Sequence, residues 1–281
     1  MIIDAHVHVW DPSRATYDWL GPGLGDLNRT IGFGEIEPTL AERGIEGAVL
    51  VQAADDAQDT VLMLEVAART PRVLGVVAWS PLDEPEQLAR DLERFVADPR
   101  VVGLRNLVHE RPASWLDADT VRAGLAVLAA SGLPLDFPTA NPVALGALAD
   151  IARRHPALPL VIDHLGKPPI GGDREARIAW RELLADCARH PNVVAKVSGL
   201  YSSVGDLGSW SVDTVRPFVE DALELFGAER LLYGGDWPIS ELAGGYPRTW
   251  SAMTELLAPL ADTERAAILG GTAARVYGLT V

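Results

Sequence analysis

The sequence predicts a (β/α)₈ barrel, and three observations predict it. Eight short β-rich runs alternate with longer amphipathic runs from one end of the chain to the other. The centres of those runs are continuously apolar, as in Ala48-Val49-Leu50-Val51 and Leu160-Val161-Ile162, the pattern of strands covered on both faces in a parallel sheet. The length of 281 residues suits such a barrel, for which about 250 is typical. Length alone would also fit two smaller domains. The alternation is unbroken, however, and no low-complexity linker interrupts it, so one domain spanning residues 1–281 is expected.

In chain order, the expected strands are 2–9, 47–52, 73–79, 101–106, 133–138, 160–164, 193–198 and 231–236. Helical periodicity is expected over 60–69 and over 85–97, where Asp83 and Glu84 suit a helix N-terminus. It recurs over 120–131, stopped by Ser131-Gly132, and over 142–155, where Asn141 caps and Pro142 opens the helix. The remaining helical stretches are 175–190, 212–226 with Gly227 just past its end, 249–257 and 263–277. Strand–helix alternation with short connections argues for a parallel sheet, and eight repeats favour closure over an open sheet. There is no glycine-rich dinucleotide fingerprint and no P-loop. The longest irregular stretch, 10–33, follows the first strand and so lies on the active-site face. It reads either as a lid or substrate wall, or as a surface loop packed by its own aromatics Trp10, Tyr17 and Trp19.

Composition narrows the partners. The net charge of −15 disfavours nucleic acid and anionic membrane surfaces but leaves room for a small anionic substrate beside a local cation. The single cysteine, Cys187, permits no internal disulfide and reads as a small buried hydrophobe. No apolar run nears the roughly 18 residues of a membrane span. The first residues enter a strand with no basic region, so a cytoplasmic protein without a signal peptide is expected. Only Lys167 and Lys196 occur among 24 basic residues, which makes both worth locating.

Catalytic groups of such a barrel gather at the C-terminal ends of its strands. The first strand ends in His6-Val7-His8. Alternation along a strand points both imidazoles the same way, as a metal-ligand or charge-handling pair. The sixth ends in Asp163-His164, followed by Lys167. The eighth ends in Gly234-Gly235-Asp236-Trp237, where the glycines permit close backbone approach and the carboxylate can ligate a metal or take a proton from water. The fourth carries Arg105, suited to a carboxylate or polarised carbonyl; the fifth carries Asp136 and the seventh Lys196. Trp10, Trp19 and Trp237 are candidate walls for a sugar ring, or core.

These residues resemble a known family. Asp4-Ala5-His6-Val7-His8-Val9-Trp10-Asp11-Pro12, Val102-Gly103-Leu104-Arg105, Ile162-Asp163-His164-Leu165-Gly166-Lys167-Pro168, Lys196-Val197-Ser198-Gly199-Leu200 and Leu232-Tyr233-Gly234-Gly235-Asp236-Trp237-Pro238 are similar, in order, to the sugar-lactonase branch of the amidohydrolase-related proteins. That branch includes L-fuconolactonases, L-rhamnonolactonases and 2-pyrone-4,6-dicarboxylate lactonases. The resemblance implies an amidohydrolase-type barrel with His6, His8, His164 and Asp236 as its core. Two departures stand out. Fuconolactonase-like sequences usually place a histidine where this chain has Asn106, and a serine where it has Gly235.

Binuclear members of the wider superfamily use a strand-four carboxylated lysine and a strand-five histidine. Arg105 and Asp136 stand there instead, so the expectation is a single Zn²⁺ on His6, His8, His164 and Asp236, or a metal-independent route, with no organic cofactor. The expected reaction is hydrolysis of a small lactone, a sugar-acid lactone by resemblance. Asp236 is the general base; His164 and Lys196 also serve catalysis. Arg105, Asp136, Lys167 and the three tryptophans bind substrate. Alternatives are a metal-dependent decarboxylase and a non-catalytic ligand-binding barrel. A monomer or homodimer is expected.

Overall fold

The computed structural model describes residues 1–139, 141–204, 207 and 209–280. Eight strands, β1 (Ile3–Val7), β2 (Gly47–Val51), β3 (Val73–Ala78), β4 (Val101–Arg105), β5 (Leu135–Phe137), β6 (Leu160–Ile162), β7 (Val193–Val197) and β8 (Leu231–Tyr233), form one sheet in sequence order. Every neighbouring pair is parallel. The sheet closes where β1 meets the chain beyond β8. There the His8 amide donates to the Trp237 carbonyl (2.7 Å) and the Asp236 amide to the His6 carbonyl (2.8 Å). This closure fixes the register of His6, His8 and Asp236 against one another. The architecture is therefore the expected (β/α)₈ barrel.

Helices α1 (Glu37–Glu42), α2 (Ala57–Ala67), α3 (Pro85–Ala97), α4 (Asp119–Ser131), α5 (Pro142–Arg154), α6 (Arg174–Ala188), α7 (Val212–Phe226) and α8 (Tyr246–Leu257) follow the strands in turn. The capping residues act as their chemistry dictates. The Asn141 side chain accepts from the Val143 amide, and Gly132 ends α4 in the left-handed conformation. One helix, α1, was not anticipated, and one helical expectation needs correction. The six-residue α1 buries only Leu40, too little for a readable period. The helix expected over 263–277 is instead α9 (Asp262–Ala266), a π turn and α10 (Thr272–Val276). The π turn carries Gly270 and Gly271, and a side chain on Gly270 would strike the Met1 carbonyl.

That C-terminal segment plugs the bottom of the barrel. Ala273, Tyr277 and Leu279 pack with Ile3, Ala5, Val49, Val51, Val77, Val102, Val161, Val194 and Leu232 in one buried cluster. Val7 and Val9 belong instead to the larger cluster between sheet and helices. The β1 register shifts between Asp4 and Val7, and a bulge re-aims the side chains that follow it. Here it turns His6 and His8 towards the barrel axis, above the apolar plug.

Candidate active site

Above the plug lies a layer of buried charge. Lys196 is fully buried; its Nζ lies 2.5 Å from Asp136 Oδ2, 3.1 Å from Asp163 Oδ1 and 3.0 Å from His6 Nδ1. Arg105 Nε donates to Asp163 Oδ2 (2.8 Å) and Nη1 to the Gln52 carbonyl (2.9 Å). The Tyr277 hydroxyl reaches up from the plug to Asp136, 2.9 Å from either oxygen. Burial pushes the Asp136 carboxyl up to about 6, against the pull of Lys196. Burial acts the same way on Asp163, but Lys196, His6 and Arg105 together override it and hold that carboxyl well below the usual range. Two cations and two anions thus balance out of water, each paired, as buried charges must be.

The next layer is the chemical one. His6 Nε2 and His8 Nε2 face each other at 3.1 Å. Asp236 Oδ1 lies 3.8 Å from His6 Nε2, 3.7 Å from His8 Nε2 and 4.0 Å from His164 Nε2. The opposite ring nitrogens are anchored, His8 Nδ1 on the Val51 carbonyl (2.7 Å) and His164 Nδ1 on Ser198 Oγ (2.8 Å). Burial, then Lys196, holds His6 well below the usual imidazole value. Burial lowers His164 to about 4, with Asp236 opposing. Burial would raise Asp236, but His164, His8 and His6 outweigh it and keep its carboxyl well below the usual range. At neutral pH His6 and His164 are therefore neutral imidazoles beside a carboxylate. The His6 and His8 nitrogens converge with an Asp236 oxygen closely enough to share one divalent metal, and His164 stands 4.0 Å from that oxygen. Asp163 Oδ1, 3.1 Å from Lys196 Nζ, is also the acceptor that an Nδ1–H of His6 would need, 3.4 Å away. The residues fit a cation.

The glycines are required sterically. A side chain on Gly235 would overlap the Tyr246 ring and the Asp4 carboxylate, and one on Gly199 would overlap Asp236 and His164. The serine usual at position 235 in fuconolactonase-like sequences has no room beside Tyr246. Asp4 itself staples the two closing strands. It accepts from the amides of His6 (3.0 Å) and Gly235 (2.8 Å) and from the Tyr246 hydroxyl (2.6 Å).

His8, His164 and Asp236 form the floor of a pocket whose walls include Trp19, Arg105, Leu107, His109, Lys167 and Ile239. The structure thus brings His8, His164, Asp236, Arg105, Lys167 and Trp19 to one cavity, with His6 and Lys196 beneath. Three expected substrate contacts are corrected. Asp136 is sealed below, between Lys196 and Tyr277. Trp10 is fully buried, stacked edge-on against Trp19 and donating to the Arg29 carbonyl. Trp237 lines a separate groove against residues 23–39. The 10–33 stretch combines both readings offered for it: its aromatics pack on one another, yet Trp19 is a wall of the pocket. Cys187 is buried on α6 and takes no part.

His109 was missed by the sequence reading. It sits on a short turn after β4 and lines the pocket, whereas Asn106 turns away to bond Ser80 and Leu82. The available signal was its rarity, one of six histidines, four residues past Arg105.

A closed eight-stranded barrel with histidines and a carboxylate gathered at its strand ends defines the class: an amidohydrolase-type hydrolase scaffold. The Amidohydrolase family profile matches residues 3–279, and the chain belongs to that family. It is 35% identical over 280 residues to an L-fucono-1,5-lactonase of Burkholderia ambifaria, covering 98% of this chain and 94% of that one. It is 25% identical over 182 residues to an L-rhamnono-gamma-lactonase of Scheffersomyces stipitis, covering 56% and 52%. The crystal structure of a Burkholderia multivorans amidohydrolase with bound zinc superposes over 100% of both chains, with a TM-score of 0.90 at 30% identity.

Proposed function

We propose that this protein hydrolyses the ester bond of a sugar-acid lactone. The observation that carries the reading is the convergence of His6, His8 and Asp236 on one point, with His164 4.0 Å from the Asp236 carboxylate, at the floor of the pocket. Relatives bearing the names of sugar lactonases cover nearly the whole chain, and a similar barrel binds zinc.

His6, His8 and Asp236, with His164 beside them, would hold a divalent metal, and His8 and His164 are pre-oriented by Val51 and Ser198. When bound, it would polarise the lactone carbonyl and make the attacking water more acidic. The protein's own groups do the rest. Asp236, ionised at neutral pH, takes a proton from water as the water oxygen bonds to the carbonyl carbon. As the ring C–O bond breaks, the leaving oxygen takes that proton back. The product is an open-chain hydroxy acid, which ionises and releases one proton to solvent. Arg105 Nη2 and Lys167 donate to substrate oxygens, while Lys196 holds His6 in place from below.

The test is proton release, followed with a pH indicator, on a panel of sugar-acid lactones. It is run on protein as purified, after chelation and after adding zinc back. Turnover of a sugar lactone that chelation abolishes and zinc restores is the expected result. No turnover of any lactone by folded, zinc-loaded protein would overturn the reading.

A further inference from the structure

The turn that follows β4 is pinned at both ends and bare in the middle. Asn106 bonds Ser80 and Leu82. The Leu107 amide donates to Asp55 Oδ1 (2.9 Å), and Arg111 Nη2 closes the turn on Asp55 Oδ2 (2.9 Å). Leu107 and Val108 are buried beneath it. His109 stands at its centre and lines the active pocket. Its ring nitrogens bond none of the described residues. A side chain carried on an anchored turn, lining a cavity and left without a partner, is placed for a ligand.

The chemistry of the wall says which part of a ligand it meets. Arg105 and Lys167, the latter brought in by the left-handed turn 164–167 after β6, carry donors only. Trp19 Nε1 is spent on the Ala53 carbonyl (2.7 Å). Leu107, Pro138 and Ile239 are apolar. The acceptors of His8, His164 and Asp236 face one another at the floor. Among the described residues, His109 is therefore the side chain that brings an acceptor to the wall above that floor. Its outer edge is open to solvent, but loss of water on the pocket side, then the charges of Arg105 and Lys167, lower the ring to about 3. The lone pair is thus free at neutral pH. A sugar hydroxyl both accepts and donates. The cations can satisfy its oxygen, but its hydrogen, once out of water, costs free energy unless an acceptor meets it.

We propose that His109 determines specificity by accepting the hydrogen of one ring hydroxyl of the lactone, so that the hydroxylated substrate is selected over its deoxy counterpart. This rests on the lactonase reading and adds a residue to the same site.

The experiment compares a hydrolysed sugar lactone with analogues lacking one hydroxyl at a time, in the unaltered protein, in His109→Leu and in His109→Gln. In the unaltered protein, loss of the hydroxyl that His109 reads should lower kcat/KM roughly tenfold. His109→Leu should slow the parent lactone by a similar factor and shrink its advantage over that one analogue to about twofold or less, with the ratios at the other positions kept. His109→Gln still offers an acceptor oxygen and should keep most of the preference. The imidazole makes no bond within the described protein, so His109→Leu should melt where the unaltered protein does. An unaltered protein indifferent to every hydroxyl, a His109→Leu variant that keeps every ratio, or one that slows all the lactones by a common factor would overturn the proposal. If no lactone is hydrolysed, the lactonase reading fails, and calorimetric binding of the open-chain sugar acid against its deoxy analogues decides the proposal alone. A preference lost in His109→Leu would support it; the same preference in both proteins, or none in either, would sink it.

Discussion

Replacing Lys196 with methionine keeps the shape of the side chain and removes one of four buried charges. Asp163 would still have Arg105 at 2.8 Å, but Asp136 would keep only the Tyr277 hydroxyl. Breaking a buried pair by deleting one partner typically costs ~3–5 kcal/mol. Protonation of the orphaned carboxyl limits the cost. With Lys196 present that carboxyl already stands at about 6, and Lys196 is pulling it down, so without the lysine it rises further. A carboxyl whose folded value exceeds its unfolded value near 4 gives stability that is complete below about 4 and lost as pH rises through the folded value. Lys196→Met should therefore lose about 3 kcal/mol or more at pH 8 and distinctly less at pH 5. Urea denaturation in the presence of chelator would measure both, and at pH 8 the melting temperature should fall by roughly 6–10 °C. Adding Asp136→Asn removes the orphaned charge and should recover a large part of the loss. A deficit below about 1 kcal/mol at pH 8, a deficit independent of pH, or a double variant no better than the single one would refute this account of the charged layer.

Three further predictions concern the surroundings of the site. Asp236→Asn should lower kcat by ~10²–10⁴ with a much smaller change in KM, and near-normal turnover would remove Asp236 from the role of base. Tyr246→Phe deletes the hydroxyl that donates to Asp4 and should cost about 1.5–3 kcal/mol in urea denaturation, the range for a hydrogen bond to a charged group; a neutral outcome would mean the staple does not need it. Asp59, which accepts from Tyr17 (2.6 Å) and from the Ala53 amide (2.8 Å), is pushed up to about 6 by burial. Its contribution is present below pH 4 and lost as pH rises through 6, by up to ~3 kcal/mol, so Asp59→Asn should flatten the pH dependence of stability across that window.

The barrel was legible because its signals are local. Each strand is an apolar run, and each of the longer helices carries its own cap or breaker, such as Asn141 or Gly132. The strand-end rule also located His6, His8, Arg105, His164, Lys167 and Asp236 before any geometry. What it could not resolve was depth. Asp136 and Lys196 sit on strands like the others, but a long side chain pointing inward can stop below the pocket, and only the partner across the barrel decides that. Tyr277, which completes the Asp136 environment, comes from the C-terminal plug 141 residues away in sequence. Nor does the sequence pattern announce a bulge in β1 or a left-handed turn after β6. Trp10 and Trp237 were unreadable for a similar reason: an aromatic after a barrel strand serves equally as wall or as packing, and here the loop cluster and the neighbouring groove claimed them.

The charged layer and the imidazole layer are joined through one ring, and that joint makes a last prediction. His6 is neutral, so it carries one proton. Lys196 Nζ stands 3.0 Å from its Nδ1 and His8 Nε2 stands 3.1 Å from its Nε2. With Lys196 donating to Nδ1, the proton sits on Nε2 and is donated to His8 Nε2, while His8 Nδ1–H donates to the Val51 carbonyl. Every group in that chain is satisfied, but His6 Nε2 then has no lone pair for a cation. Ligation needs the other tautomer, with the proton on Nδ1 facing Asp163 Oδ1, 3.4 Å away. Second-partner contacts of this kind fix the tautomer of ligating histidines. Nitrogen NMR of the His6 ring should therefore show the Nε2–H tautomer in chelated protein and the Nδ1–H tautomer after zinc is added. The same tautomer in both would mean that the charged layer supports His6 without controlling whether it can bind a metal.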